Sequence, residues 1–308
     1  MKRTLIFIMV LSLFSCGKKS DLDDSKPITP PTNTGGGSDQ EWTSPIKVAS
    51  YNIEYDNTSN TDNTWITRKN LVKQMFEKYS LDIVGVQEPY LNQLNDLLTL
   101  LPAYNYVGTD VRGTNNTQRQ LSVTIFYNKN RIEILKWGTF WLSETPDVAG
   151  IGWDAHSWRI CTWAFAKDKT ANKEFYFFNT HLDHVGVLAR TNGVKQLLAT
   201  IPEMAKGYPA IITGDFNANQ NQSYYSLMVA GTDVKDSYNL TTNKTNALRG
   251  TYNSYNVNTS DNNRIDHIFL TTEKPIKVNS WAIRTDLFEN KYPSDHFPVI
   301  AELSFSSK

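Results

Sequence analysis

The sequence predicts an α+β fold of two packed sheets with helices on the outside. Strand-like apolar runs alternate with amphipathic helical ones along most of the chain, and strands outnumber helices. Several of the strand runs are apolar on both faces, as strands are when a sheet is covered on both sides. The 308-residue chain, 40% hydrophobic and 12% aromatic, has the content of one sizeable globular domain or two small ones.

Ile46 to Ile53 alternates and reads as the first strand. Trp65 to Tyr79 carries Leu71, Val72, Met75, Phe76 and Tyr79 at helical spacing, so an amphipathic helix is expected there. Leu81 to Val86 is a short apolar strand, and Tyr90 to Leu101 a second helix ending before Pro102, whose ring disfavours a helical residue ahead of it. Leu121 to Tyr127 and Arg131 to Trp141 read as a strand pair, followed by strands at Trp158 to Ala166 and Glu174 to Thr180. A long helix is expected over much of Val187 to Met204, then a buried strand at Ala210 to Thr213. Ile265 to Leu270, Val278 to Ile283 and Val299 to Phe305 complete the sheets, and no repeat of solenoid period appears.

Ahead of this region the sequence reads as an export signal and a tether. Lys2 and Arg3 precede an apolar run, Thr4 to Phe14, that is shorter than the roughly 20 residues a bilayer span needs. Leu13-Phe14-Ser15-Cys16 resembles the bacterial lipobox, which implies a signal peptide over residues 1–16 and a lipid on Cys16; the alternative is an ordinary signal peptide with an incidental cysteine. Residues 17–44 are polar and broken by Pro27, Pro30, Pro31 and Gly35-Gly36-Gly37, so they read as a tether with a reach on the order of 30 Å. The folded domain is expected over 45–308, outside the cytoplasm and anchored to a bacterial membrane, the outer one expected, with the periplasmic and the cell-surface side both open. Asp21, Asp23 and Asp24 fit an acidic surface-export signal and a solvated charge run about equally. The second cysteine, Cys161, lies in the apolar run Ile160 to Ala166 and reads as a small buried hydrophobe.

Polar residues of metal-site type recur where apolar strands end or begin. The runs are Tyr51-Asn52-Ile53-Glu54, Gln87-Glu88-Pro89, Asn179 to His184, Gly214-Asp215-Phe216-Asn217, Arg264-Ile265-Asp266-His267 and Ser294 to Pro298. A rigid strand can aim such side chains into a shared cleft. Hard cations such as Mg²⁺, or Mn²⁺ in its place, take carboxylate and amide oxygens, which Glu88, Asp215, Asp295, Asn52 and Asn217 supply. Zinc-finger spacing, a P-loop, a G-x-S-x-G elbow and a dinucleotide fingerprint are all missing from the sequence.

In order and spacing these six runs resemble those of the endonuclease/exonuclease/phosphatase superfamily, over about Pro45 to Phe305. The stretches Gly152-Trp153-Asp154, Arg159 to Trp163, His181-Leu182-Asp183-His184 and Ala189-Arg190 resemble its bacterial branch nearest the deadenylase-like members. The resemblance implies a four-layer αββα sandwich, two mostly antiparallel sheets with helices outside. It also implies roles. Glu88 is similar to the principal metal ligand, with Asn52 beside it, Asp295 near, and Glu54 where some relatives have a second metal-site carboxylate. Asp215 resembles the residue that orients or deprotonates the attacking water, and Asn217 one that holds the water and the phosphate. His296 resembles the phosphate-contacting, proton-transferring histidine and Asp266 the carboxylate that fixes its tautomer. His181 resembles a second phosphate-contacting histidine, and Arg159 a positive charge on a phosphate oxygen.

The resemblance implies a metal-dependent hydrolase that attacks phosphorus in line with water. Its substrate is expected to be a small phosphoester, a phospholipid headgroup or nucleic acid, and the chain is expected to act as a monomer. Lys+Arg and Asp+Glu balance at 31 each, so no global positive field favours a polyanion, which tilts the expectation toward a small substrate. An extracellular RNA or DNA nuclease is the alternative, and a non-catalytic surface protein that binds a phosphorylated ligand is another. Trp141, Trp153, Trp158 and Trp163 are read as core rather than as a stacking platform. Asp154, His156, His184 and His267 are read as loop or strand-end polar groups, with Asp183 and His184 the first candidates for more.

Overall fold

The computed structural model describes residues 40–114 and 119–307. The signal peptide, Cys16 and the tether up to Asp39 therefore lie outside the described residues. The first half of the chain forms β1 (Ile46–Asn52), α1 (Trp65–Tyr79), β2 (Ile83–Gln87), α2 (Leu91–Leu100), β3 (Tyr104–Asp110), β4 (Ser122–Asn128), β5 (Ile132–Trp141) and β6 (Ile160–Asp168). The second half forms β7 (Lys173–His181), α3 (Val187–Met204), β8 (Ala210–Asp215), α4 (Ser223–Val229), β9 (Val234–Asp236), β10 (Lys244–Thr245), β11 (Asp266–Thr271), β12 (Ile276–Ile283) and β13 (Val299–Phe305).

Two sheets result, in the orders β10-β12-β13-β1-β2-β4-β3 and β5-β6-β7-β8-β11-β9. Alternation explains how they stack. Ile46, Val48, Ile83 and Ile125 of the first sheet meet Phe175, Phe177, Ile211 and Ile268 of the second in one core. The opposite face of the first sheet, with Ala49, Tyr51, Val84 and Val86, is covered by Val72, Met75 and Phe76 of α1 and by Leu94 and Leu97 of α2. The outer face of the second, with Cys161, Phe178, Ile212 and Phe269, is covered by Val194, Leu197 and Ile201 of α3 and by Met228 of α4. This is the four-layer αββα sandwich. The central strands β2 and β8 are buried at every position, as their two-faced apolar runs require.

Most neighbours are antiparallel, but β1 runs parallel to β2, β7 to β8 and, at the first sheet's edge, the two-residue β10 to β12. Parallel neighbours end on the same side, so each sheet delivers two strand C-termini to one edge of the sandwich. Asn52 pairs with Gln87 there in one sheet, and His181 with Asp215 in the other.

Helix α1 spans the residues that helical spacing marks out, and α3 fills the range where a long helix is expected. The end of the stretch read as a tether touches the sheet's edge: Trp42 makes an isolated bridge to Ser306, and Thr43 N–H donates to the Phe305 carbonyl at 3.0 Å. The four tryptophans read as core are half-buried at its edges, Trp153 and Trp163 beside the α3 layer and Trp141 and Trp158 beside Val111, Val123 and Ile160. Cys161 is fully buried, and burial pushes its thiol far above the ordinary range, so it is unreactive.

Candidate active site

The six polar runs converge on one cavity of about 500 Å³. Glu54, Glu88, Arg159, His181, Asp215, Asn217, Asp295 and His296 line it, and Asn52 and Asp266 stand behind that surface. Three of the lining residues turn out of their strands with left-handed backbone: Glu54 at φ 51°, Glu88 at φ 73° and Asn217 at φ 45°. Such conformations cost non-glycine residues on the order of 1–3 kcal/mol and persist where the surroundings fix them. Here they re-aim side chains that a continuing strand would send to alternate faces.

The two sheets meet chemically at Asn52. Its Nδ2 donates to Glu88 Oε1 at 2.9 Å and to Asp215 Oδ2 at 3.1 Å, while its Oδ1 accepts from Glu54 N–H at 3.0 Å. Ligand atoms of Glu88, His181 and Asp215 lie within 4.8 Å of one another, so this group could hold a metal ion. The donor chemistry suits a hard cation, two carboxylates with a third, Asp295, on the same wall. The charges agree. Glu88 is raised by burial and then by Asp295, Asp295 is pushed up to about 6 by burial and also by Glu54, and Asp215 to about 7 by burial and then by Asp266. Crowded buried carboxylates of this kind favour a bound positive charge.

His296 Nδ1 lies 2.8 Å from Asp266 Oδ2, and since a carboxylate accepts, Nδ1 carries the proton. Asp266 is placed in turn by Thr251, whose Oγ1 accepts from the N–H groups of Ile265 and Asp266 at 2.9 and 3.1 Å. Burial alone would lower His296, but Asp266, Asp295 and Asp215 together raise it well above the ordinary range. His181 goes the other way, lowered by burial and then by Arg159, and its Nε2 accepts from Asn217 Nδ2 at 3.1 Å. Asn217 also ties its backbone to Asp215, N–H to Oδ1 at 2.9 Å.

Glu54 stands outside both metal-capable groups found among the described residues. Its Oε2 accepts from Tyr255 Oη and lies 3.4 Å from Arg68 Nη2. Arg68 is fully buried and donates to the carbonyls of Ile53, Glu54, Tyr55, Asn63 and Pro293, which pins the turn after β1 against the loop ahead of Asp295. Sequence reasoning named neither Arg68 nor Tyr255.

It also left Asn179 unassigned. Asn179 of β7 donates across the sandwich to the carbonyls of Val86 and Thr124, at 3.0 and 2.8 Å. Its Oδ1 accepts from Gln87 Nε2 at 2.6 Å and from Thr213 Oγ1 at 3.1 Å. Gly85 makes room, since a Cβ there would lie 2.0 Å from Thr213 Oγ1. This polar staple sits directly below Glu88, His181 and Asp215 in the chain and sets the spacing of the sheets that carry them. The remaining lining residues, Tyr55, Leu121, Ser157, His184, Tyr252 and Ile265, form the walls. Asp154 accepts from the N–H groups of Leu188 and Ala189 and so caps α3, while His267 is buried with Nε2 3.0 Å from the Ala218 carbonyl.

A model of the Endonuclease/Exonuclease/phosphatase family matches residues 49–296. Among solved structures, the chain is similar to a mannosyl-6-phosphatase of Bacteroides thetaiotaomicron VPI-5482, at 38% identity and TM-score 0.79, covering 84% of this chain and 100% of that one. It is similar to an endonuclease/exonuclease/phosphatase family protein of the same species at 37% identity and TM-score 0.80, covering 86% and 99%. The human Nocturnin catalytic domain, with bound sulfate, shares the fold at 18% identity and TM-score 0.65, covering 87% and 97%.

Proposed function

The chain belongs to the endonuclease/exonuclease/phosphatase family, whose members hydrolyse phosphoester bonds, and we propose that it is a Mg²⁺-dependent phosphoesterase acting on a small phosphoester. One observation carries this reading. Glu88, His181 and Asp215, drawn from two sheets, share a single cavity with a histidine already paired to a carboxylate.

Glu88, with Asp295 and Asn52 near it, would hold the cation, which when bound neutralises phosphate charge and stabilises the leaving oxygen. Asp215 and Asn217 position the attacking water, and Asp215, whose carboxyl is raised by burial and then by Asp266, is the base placed to take its proton. His296, kept protonated and oriented by Asp266, donates from Nε2 to a phosphoryl oxygen or to the leaving group. Arg159 adds a hydrogen bond to the phosphate, and neutral His181, whose Nε2 accepts from Asn217 Nδ2, holds that amide in place.

A cavity of about 500 Å³ suits a small substrate, and the neutral charge balance disfavours a polyanion. The relative named a mannosyl-6-phosphatase supports a sugar phosphate monoester. The test is turnover of mannose 6-phosphate, a bis-nitrophenyl phosphodiester, single-stranded RNA and DNA, in Mg²⁺, Mn²⁺ and chelator. Higher catalytic efficiency on RNA or DNA than on any small ester would replace this substrate class with nucleic acid. Glu88→Gln keeps shape but removes charge, so activity should fall by about 10³-fold or more and Mg²⁺ affinity should weaken. Unchanged Mg²⁺ affinity by calorimetry would move the cation elsewhere.

The lipobox-like Leu13 to Cys16 supports placing this enzyme on a membrane through a lipid on Cys16. Cys16→Ser should then leave activity intact and shift the protein from the membrane to the soluble fraction; equal membrane partitioning of variant and wild type rules the anchor out.

A further inference from the structure

Hydrolysis as derived above makes no use of His184, yet this residue lines the cavity beside Ser157 and Arg159. Its Nδ1 lies 3.0 Å from Nη2 of Arg159. A guanidinium only donates, so Nδ1 is the acceptor and the proton of the neutral ring must sit on Nε2. His184 is exposed, and its partial desolvation and then the charge of Arg159 hold it below the ordinary histidine range, which keeps the ring neutral. Among the described residues nothing hydrogen-bonds to that Nε2–H.

The wall that carries it is built rather than incidental. Arg159 Nε donates to Asp183 Oδ2 at 3.3 Å. Asp183, itself 1% exposed, also accepts from the backbone N–H groups of His156, Ser157, Val185 and Gly186, at 2.7 to 3.1 Å. A single buried carboxylate thus fixes both loops of the wall and the arginine that orients the imidazole. It also offsets the arginine's charge, leaving a surface of hydrogen-bond donors with little net charge. Such a surface suits neutral hydroxyl oxygens better than a second phosphate.

We propose that His184, beside Ser157 and oriented by Arg159, recognises the part of the substrate beyond the phosphate, its Nε2–H donating to a hydroxyl oxygen of a sugar or polyol. This rests on the small-phosphoester reading above. His184 is then a specificity residue whose tautomer is locked by Arg159.

The experiment compares kcat/KM for mannose 6-phosphate and for p-nitrophenyl phosphate, which has no hydroxyls, in wild type, His184→Phe and His184→Gln. Phenylalanine keeps the ring without the donor, and glutamine returns an amide N–H close to the position of Nε2. Loss of one neutral hydrogen bond is worth roughly fivefold. His184→Phe should therefore lower kcat/KM for the sugar phosphate by about fivefold, mainly through KM, with a clearly smaller loss on the nitrophenyl ester, and His184→Gln should recover most of it. Equal losses on both esters overturn the proposal, and so does a larger loss on fructose 1,6-bisphosphate, which would assign the wall to a second phosphate. A second readout needs no turnover: ¹⁵N NMR of the imidazoles should show His184 protonated at Nε2, with that lock lost in Arg159→Met. A wild-type ring protonated at Nδ1 refutes the donor assignment. If wild type hydrolyses neither ester, the phosphoesterase reading fails on its own account, and the tautomer measurement still decides whether the wall offers this donor.

Discussion

Two corners of the cavity each present a buried histidine to the same carboxylate: His181 Nε2 is 3.5 Å from Asp215 Oδ2, and His296 Nε2 is 3.8 Å from it. Burial depresses both, yet they are driven apart. His181 faces Arg159, His296 and His184, and settles neutral; His296 faces Asp266, Asp295 and Asp215, and settles charged. Identical side chains at equal depth thus take opposite charge states because of their partners, and one corner can accept a hydrogen bond where the other supplies a proton.

The largest expected effect breaks this contrast at its charged side. An alkoxide leaves badly unless protonated, whereas a nitrophenolate leaves without help. His296→Ala should therefore cut hydrolysis of an alkyl phosphoester by about 10²–10⁴-fold and a nitrophenyl ester much less. Equal losses on both would make His296 a stabiliser of phosphate charge instead.

His267 sharpens the comparison away from the chemistry, as a buried histidine whose nearest carboxylate, Asp236, stands 3.9 Å from Nδ1. Burial and then Arg264 lower it to about 4. The unfolded chain, with an ordinary value of about 6.5, takes up the proton first as the pH falls. The stability this neutral ring contributes is full above about pH 6.5 and is lost as the pH drops toward 4, about 3 kcal/mol over that window. Urea midpoints at pH 7 and pH 4.5 should therefore fall less in His267→Phe than in wild type. A fall of the same size in both would show that His267 is not an acid-sensitive group.

The smallest effect tests the link between His296 and its carboxylate. Asp266→Asn should cost roughly tenfold and add little to His296→Ala, because residues that act as a unit are not additive. Additive losses in the double variant would separate the two.

Much of this was readable before any coordinates. The helix at Trp65–Tyr79 follows from apolar spacing alone, the long helix falls within Val187 to Met204 as expected, and two-faced apolar runs such as Leu81 to Val86 announced sheets covered on both sides. What escaped was short or interrupted. β3 carries Gly108 at φ 126°, β9 and β10 are three and two residues long, and α4 follows the polar run Asn219 to Gln222. In the site, strand-end motifs were legible because each is local. The hold of Arg68 on the Pro293 carbonyl, 225 residues away, and of Tyr255 on Glu54, 201 away, has no local pattern to read. Glu54 shows the consequence: its Oε2 is held by Tyr255 and Arg68, neither of them a neighbour in sequence, while its Oε1 accepts from Asn57 Nδ2 at 3.4 Å.

The Asn179 staple gives the two sheets a common ruler at the end where they must cooperate. Apolar faces can slide over one another at small cost, since dispersion has no preferred direction, but a carboxamide that bonds four groups on three strands tolerates only one offset. Catalytic alignment here is accordingly a property of the gap between layers: a sandwich that loosened while keeping every strand intact would already have lost the meeting of Glu88 with Asp215.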